Sequence, residues 1–242
     1  MKKAVTVILA LSTLIAAYSC KQEEEKPKVK YMEPTEVKKP EKKDSSQIKV
    51  ADLPVHMEGT KYLIHPVGDM RIYDNSAYKT YGSRMNDNVS YAISNYNRFE
   101  LTGYFENLKF QHIDSTALYP LTDKQVQIQT ATYLNTIAER TKKQLLVYTL
   151  VDSDTNQDGK IDANDIRSLY ISDISGANFT KLSQDMQELI DWNIVEVQNR
   201  IYFRTIEDIN KNGAFDKNDK VHYQFCNLIA DEWVVESYEP VN

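Results

Sequence analysis

Two stretches of the chain carry oxygen-bearing side chains at the same spacing. They are residues 154–165 and 208–219, so the second follows the first at an offset of 54 residues. In both stretches, side chains with oxygen stand at positions 1, 3, 5, 9 and 12, and a glycine stands at position 6, where the chain must turn sharply. Calcium is a hard cation that takes six to eight oxygen ligands, and this spacing would wrap oxygens around one point. We therefore predict two Ca²⁺ sites.

The expected ligands are side-chain oxygens, except at position 7, where the main-chain carbonyl would bind and the nature of the side chain does not matter. They are Asp154, Asn156, Asp158, Lys160, Asp162 and Asp165 in the first loop, and Asp208, Asn210, Asn212, Ala214, Asp216 and Asp219 in the second. Four carboxylates in the first loop against three in the second predict that the first binds calcium more tightly. The alternative is a pair of ordinary turns, because Asp and Asn side chains often bond their own backbone.

Both loops resemble the calcium loop of EF-hands in register. Position 12 is Asp in both loops, where EF-hands usually place a bidentate Glu, and in this respect the loops resemble those of dockerins and other extracellular calcium-binding repeats. The shorter Asp reaches an ion less easily, so the resemblance implies a modest affinity, with dissociation constants of roughly 10⁻⁴–10⁻³ M as in extracellular modules. Ile161 and Phe215, at position 8, are expected to anchor the loops to the core.

Strand-forming residues flank the loops, in place of the helices of an EF-hand. Four short segments rich in aromatic or β-branched residues surround them: 144–151, 166–173, 200–206 and 221–228. Each loop is therefore expected to join two antiparallel strands. The offset of 54 residues extends beyond the loops, and we predict a repeat that covers residues 144–183 and 198–237.

One segment of the first repeat carries a further resemblance. Residues 171–183 contain a strand that ends in Asp173, a turn at Gly176 and a closing Leu182-Ser183 pair. This is similar to the outer hairpin of TolB-type β-propeller blades, which implies four-stranded blades with the calcium loops between strands. Complete propellers usually need at least four blades, and the chain has room for about three repeats. The expected fold is mainly β, with antiparallel sheets that resemble an incomplete β-propeller and calcium loops joining the strands.

The N-terminus has the features of a lipoprotein signal peptide. Two lysines precede the apolar residues 4–17, a stretch of signal-peptide length that is followed closely by Cys20. This resembles the lipobox of bacterial lipoproteins, although Ala17 and Tyr18 depart from its usual Leu and small residue. The resemblance implies a signal peptide over residues 1–19 and lipidation of Cys20. An ordinary secretory leader with an unrelated cysteine is the alternative.

A charged linker follows the signal peptide. Residues 20–46 combine the lipid-anchored Cys20 with a segment rich in Lys, Glu and Pro, which cannot bury enough apolar area to offset the entropy of ordering it. We therefore expect a disordered tether, followed by a β-rich domain over residues 47–242. The acidic run after Cys20 resembles that of surface-exported lipoproteins of the Bacteroidetes. The implied location is the cell envelope, on the outer membrane and exposed at the surface.

Charge and missing motifs narrow the function classes. The net charge is −6 and no basic stripe lies outside the linker, which disfavours nucleic acid as a partner, and we expect none. The sequence has no GxSxG, HExxH, P-loop or GxGxxG motif. We expect a non-enzymatic, calcium-binding, lipid-anchored protein that binds the membrane through Cys20 and serves as a structural module or binds an unknown protein or glycan. The alternatives are a carbohydrate-active or other hydrolytic enzyme with structural calcium, and a module that needs no cation.

Overall fold

The computed structural model describes residues 27–31, 48–69, 71–73, 88–90 and 92–241. The predicted signal peptide, Cys20 and most of the tether lie outside these ranges. The strands are β1 Lys49–Ala51, β2 Val55–His56, β3 Tyr62–Asp69, β4 Arg71–Tyr73, β5 Asn88–Ser90, β6 Ser94–Tyr96, β7 Glu100–Phe105, β8 Asn107–His112, β9 Tyr119–Pro120, β10 Gln127–Tyr133, β11 Leu145–Val151, β12 Arg167–Asp173, β13 Thr180–Lys181, β14 Gln187–Val195, β15 Arg200–Glu207, β16 Lys220–Asn227 and β17 Val235–Ser237. The helices are α1, Asn135–Thr141, and a 3-10 turn, Glu196–Gln198.

The described strands pair antiparallel throughout, and the expectation of a mainly β protein with antiparallel sheets is confirmed. The first sheet has the order β1-β3-β8-β9, with β2 also paired to β3. The second has the order β13-β12-β11-β10-β7-β6, and the third has the order β14-β15-β16-β17. Strands β4 and β5 pair with each other, and none of the sheets in the described part of the chain closes on itself.

The six-stranded sheet is the middle of three stacked layers. All seven residues of its central strand, β11, are buried, which requires that both faces of the sheet be covered. Leu146, Tyr148 and Leu150 lie in the core shared with the first sheet. Leu145 and Val147 alternate with them and lie in the core shared with the four-stranded sheet and α1. Packing on both faces of the middle sheet therefore fixes the position of the end of β11, where the first loop begins.

The hairpin expected over residues 171–183 is present. Strand β12 ends at Asp173, Gly176 has a φ of +81°, and β13 returns along β12 at the edge of the sheet. Phe179 stacks on the ring of Tyr170 at a centroid distance of 4.6 Å and meets Tyr148 edge-on at 5.4 Å. Strands β10–β13 and β14–β17 are both four-stranded meanders, but β7 and β6 extend the first of them to six strands.

The two loop-bearing hairpins are similar in layout and differ in pairing. Tyr148 on β11 lies opposite Tyr170, whereas Tyr202 on β15 lies opposite Phe225, so the returning strand of the second hairpin is displaced by one residue relative to the 54-residue offset. Tyr148 is fully buried, and Tyr202 is half-buried in a cluster with Phe225 and Tyr238. The strands of the two hairpins therefore face different surroundings.

Two segments have apolar residues at a spacing that is compatible with either a helix or a strand. Residues 183–192 belong largely to strand β14, whose pairing with β15 is interrupted by a bulge between Leu189 and Asp191. Residues 131–142 contain the end of β10 and then α1, which is followed by Lys142 with a φ of +66°. In the part of the chain that the structure describes, no helix is both long enough and apolar enough to cross a membrane.

Candidate metal centres

The two predicted loops connect the central strands of neighbouring sheets. The first loop joins β11 to β12 in the middle sheet, and the second joins β15 to β16 in the four-stranded sheet. Each loop therefore joins antiparallel strands, as expected from the sequence. Val29 and Lys30 are adjacent in the chain and bond to the second and the first loop, respectively, which shows that the loops lie side by side.

The first half of the first loop is folded by its own side chains. The two carboxylate oxygens of Asp154 accept hydrogen bonds from the amides of Asp158, at 3.1 Å, and Gly159, at 2.8 Å. Asn156 Oδ1 accepts from the amide of Asp158 at 2.9 Å, and Asp158 Oδ1 accepts from the amide of Lys160 at 2.9 Å. These turns place the side chains at positions 1, 3 and 5 on the inside of one curve of backbone.

Asp165 closes the second half of the loop. Its Oδ1 accepts hydrogen bonds from the amides of Thr155 and Asn156 at 2.8 and 3.0 Å, and its Oδ2 accepts from the amide of Asp162 at 3.0 Å. The residue is 0% exposed. Burial raises the pKa of Asp165, the nearby charge of Asp154 adds to the increase, and the amide hydrogen bonds offset part of it. A cation at this point would relieve the cost of burying the carboxylate.

The second loop repeats this arrangement. The carboxylate of Asp208 accepts from the amides of Asn212, at 3.2 Å, and Gly213, at 2.7 Å. Asn210 Oδ1 accepts from the amide of Asn212 at 2.9 Å, and Asn212 Oδ1 accepts from the amide of Ala214 at 2.8 Å. Asp219 again closes the loop, and its Oδ2 accepts from the amide at position 9 at 2.8 Å.

The backbone follows the same path in both loops. Position 4 has a positive φ in each, 56° at Gln157 and 58° at Lys211. Position 6 is the glycine, with φ values of 91° at Gly159 and 83° at Gly213. The glycine is required there because other residues adopt this region of φ only with strain, which agrees with the turn expected from the sequence.

The loops are buried at different positions. At position 12, Asp165 is fully buried and Asp219 is half-buried, whereas at position 1 Asp208 is 3% exposed and Asp154 is half-buried. Thr155, at position 2, is buried, and its hydroxyl accepts a hydrogen bond from the amide of Ile166 at 3.0 Å. The counterpart of Thr155 is Ile209, which is 55% exposed. Thr155 was not among the residues predicted from the sequence, although a hydroxyl residue between two predicted ligands is a usual backbone partner.

The predicted ligands at positions 1, 3 and 5 of each loop bond to backbone amides of the same loop. No three side chains of the His, Cys, Asp or Glu type in the described ranges form a group that could hold a metal ion. Such a group does not include the Asn side chains or the main-chain carbonyls of Lys160 and Ala214, which belong to the predicted ligand sets. The donors are chemically suited to calcium, since carboxylate, amide and main-chain oxygens are the ligands it prefers.

The expected anchors at position 8 are only half-buried. Ile161 lies at the edge of a cavity of ≈ 590 Å³ that is also lined by Val126 and Phe105, and Phe215 is likewise half-buried. Ile166, directly after the first loop, is 2% exposed. The first loop is therefore fixed to the core mainly at its end, where β12 begins, and only in part through position 8.

An ion network lies next to the first loop. The carboxylate of Glu188, on β14, accepts hydrogen bonds from the backbone amide and from Nε of Arg167, both at 2.8 Å. The guanidinium of Arg167 also donates to the carbonyl of Leu189 at 2.9 Å. The Nζ of Lys28 lies 2.9 Å from the same carboxylate. Because Arg167 begins β12, these bonds hold the middle sheet and the four-stranded sheet together beside the loops.

Part of the predicted tether is ordered against the loops. Residues 27–31, which we call the strap, contact both loops, and Val29 is 2% exposed. These five residues therefore differ from the coil expected for the whole of residues 20–46. The strap is stabilised by contacts with residues more than a hundred positions away, which composition alone does not reveal.

Comparison with known proteins yields no relative. No family model matches the chain, no curated protein matches it, and no solved structure matches it. The likeness to EF-hand loops, to lipoproteins and to TolB-type blades therefore rests on residues of this chain alone.

Proposed function

We propose that each loop binds one Ca²⁺ ion and that the ions stabilise the ends of the two hairpins. The observation that carries the proposal is the agreement between the two loops. At positions 1, 3 and 5, the side chains accept hydrogen bonds from the same backbone amides, and the same two positions have a positive φ, at an offset of 54 residues. Two unrelated turns would have no reason to agree at so many points.

The hydrogen bonds leave capacity for an ion. An ionised carboxylate has about four acceptor sites, and Asp154 and Asp208 each use two of them for amides. At position 5, the side chain accepts a hydrogen bond from the amide of position 7, the residue whose carbonyl is the predicted ligand. Because these side chains order the loop backbone before an ion binds, less conformational entropy is lost on binding.

The first loop is the stronger candidate of the two. It has four carboxylates against three, and its closing residue, Asp165, is fully buried while Asp219 is only half-buried. A buried negative charge gains more from a cation than an exposed one, because solvent screens it less. We therefore expect the first loop to fill at lower calcium concentration.

The wider role follows from the sequence. We infer a lipid-anchored module of the cell envelope, held at the outer membrane through Cys20, that binds a protein or a glycan without catalysing a reaction. The carboxylates of the loops support a structural role for the ions, since they already accept bonds that hold their own turns. The incomplete propeller remains our proposal for the fold, supported by the stacking of two four-stranded meanders.

The test is thermal unfolding of the mature chain with calcium, with magnesium and with a chelator. With a dissociation constant of about 10⁻⁴ M and 10 mM calcium, a single site adds about 2.7 kcal/mol to the free energy of unfolding. For a domain of this size, that corresponds to a rise in Tm of about 5–10 °C. We expect the rise to be specific for calcium, to fall strongly in Asp154→Ala and to fall less in Asp208→Ala.

The control is Asp114→Ala, which removes a carboxylate that is 79% exposed and far from both loops in sequence. It should leave the calcium-dependent rise unchanged. Equal Tm values with calcium and with chelator would show that the loops are turns held by Asp and Asn side chains alone, and the proposed function would then be wrong.

A further inference from the structure

The strap bonds to the first loop through its backbone. The amide of Lys30 donates to the carbonyl of Thr155 at 3.0 Å, and the hydroxyl of Thr155 donates to the carbonyl of Lys28 at 2.8 Å. The side-chain amide of Gln157 donates to the carbonyl of Lys30 at 3.0 Å. These partners stand at positions 2 and 4 of the loop, between the predicted calcium ligands.

The strap also bonds to the second loop. The amide of Val29 donates to the carbonyl of Gly213 at 3.3 Å. A Cβ added to Gly213 would lie 2.4 Å from the carbonyl oxygen of Val29 and 2.8 Å from Pro27 Cβ, so the approach of the two backbones depends on the glycine. The Nζ of Lys211 lies 6.0 Å from the centre of the Tyr31 ring, and Tyr31 also lies close to Asp208.

The side chains of the strap fit the surface between the loops. Val29 is buried, and Lys28 forms an ion pair with Glu188, whose carboxylate is 8% exposed. The lysines bring positive charge to a region rich in carboxylates, while the bond of Lys28 to Glu188 keeps its ammonium group off the predicted ligands. The strap therefore rests on both loops.

From these contacts we propose that the strap couples the two loops: it closes over both, joins them into one unit, and is released when they lose their cations. The inference rests on the proposed function. The partners of the strap at Gln157 and Gly213 are held at positive φ by the turns that the ions would stabilise. A loop that loosens loses its contacts with the strap, and by linkage a docked strap raises the calcium affinity by the same factor as calcium favours docking.

The experiment uses the mature chain with its linker, and trypsin, which cleaves after lysine. Cleavage after Lys28 and Lys30 requires the strap to leave the loops, because a docked segment does not fit a protease. Mass spectrometry gives the cleavage rate at these sites relative to the rate after Lys42 and Lys43, in calcium and in chelator. This ratio removes any effect of calcium on trypsin itself. We expect calcium to slow relative cleavage of the strap by about tenfold.

A matched pair of variants tests the reciprocal effect. Val29→Asn places a neutral polar group at a buried position of the strap, and Leu53→Asn makes the same kind of change at a residue that is 86% exposed. We expect Val29→Asn to remove the protection and to weaken calcium binding, measured by calorimetry, by the same factor of about ten. Leu53→Asn should change neither quantity.

The outcomes separate the two proposals. If calcium raises the Tm but leaves relative cleavage of the strap unchanged, or if Val29→Asn binds calcium as tightly as the unaltered chain, the coupling is wrong and calcium binding stands. If calorimetry and Tm show no calcium binding, the proposed function fails. Slow strap cleavage in chelator as well as in calcium would then identify a permanent brace and overturn the coupling.

Discussion

Replacing Asp165 with Asn distinguishes a calcium site in the first loop from a turn that is held only by its own side chains. The buried carboxylate of Asp165 accepts three amide hydrogen bonds, two at Oδ1 and one at Oδ2. Asn keeps the oxygen that serves Thr155 and Asn156, but it presents an NH₂ group to the amide of Asp162. Leaving one buried amide without an acceptor costs about 1–3 kcal/mol, and loss of the buried charge offsets part of it. In chelator, we therefore expect Asp165→Asn to lower the free energy of unfolding by about 1–2 kcal/mol.

Calcium should make the same substitution more costly. At a free calcium concentration one hundred times the dissociation constant, an intact site contributes about 2.7 kcal/mol, and a loop whose affinity has fallen a hundredfold contributes only about 0.4 kcal/mol. The difference adds to the cost of the lost hydrogen bond. In calcium, Asp165→Asn should therefore lower the free energy of unfolding by about 3–5 kcal/mol.

Urea unfolding monitored by tryptophan fluorescence measures the cost of Asp165→Asn in chelator and in calcium, since Trp192 and Trp233 pack against the core of the four-stranded sheet. Asp114→Asn is the matched control, because its carboxylate is exposed and lies outside the loops. It should cost less than about 0.5 kcal/mol in either condition. An equal cost of Asp165→Asn in calcium and in chelator would refute the reasoning, since the carboxylate would then act only as an acceptor for the turn.

Two further predictions concern the sheets. In urea unfolding, Gly176→Ala should lower the free energy of unfolding by about 2–4 kcal/mol, because φ is +81° and the new Cβ would lie 2.5 Å from the ring of Phe110. The matched variant Gly59→Ala should cost only about 1–2 kcal/mol, because φ is +83° but no atom lies within 4 Å of the new Cβ. Equal costs would contradict the close packing. The exposed pair of Asp191 and Arg204 should contribute at most about 1 kcal/mol in a double-mutant cycle. The hydrogen bond from Arg204 lowers the pKa of Asp191 below its usual value of 3.8. The contribution of the pair to the free energy of unfolding is therefore complete above pH 3.8 and disappears as the pH falls through the lowered pKa. A coupling energy that persists when Asp191 is protonated would contradict this.

The sequence predicted the strands beside the loops to within one or two residues. Strand β11 begins at Leu145 and β15 begins at Arg200, close to the bounds inferred from their aromatic and β-branched residues. These strands are short, strongly patterned and followed directly by turn residues, so local composition is sufficient. The loop backbone was predictable for the same reason, since Gly159 and Gly213 occupy the positions that need a positive φ.

Other features depend on contacts that local patterns do not contain. Strand β14 looked ambiguous because Leu189 and Ile190 are spaced as in a helix, and the bulge between Leu189 and Asp191 explains this by interrupting the alternation of a strand. The window of residues 131–142 was ambiguous because the boundary between β10 and α1 lies inside it. The strap gave no signal, since Val29 is buried only by residues distant in sequence.

The loops are folded by bonds within themselves, and this affects how such a chain could be extended by duplication. Every side-chain bond that folds the turns of Asp154 or Asp208 is made to a residue within the same twelve-residue segment. Duplication of the hairpin therefore carries the whole loop with it, whichever sheet receives the copy. The strands need not be preserved, and the environments of Tyr148 and Tyr202 differ. Selection acting on such a unit can multiply loops of this kind along a chain without a new core for each one.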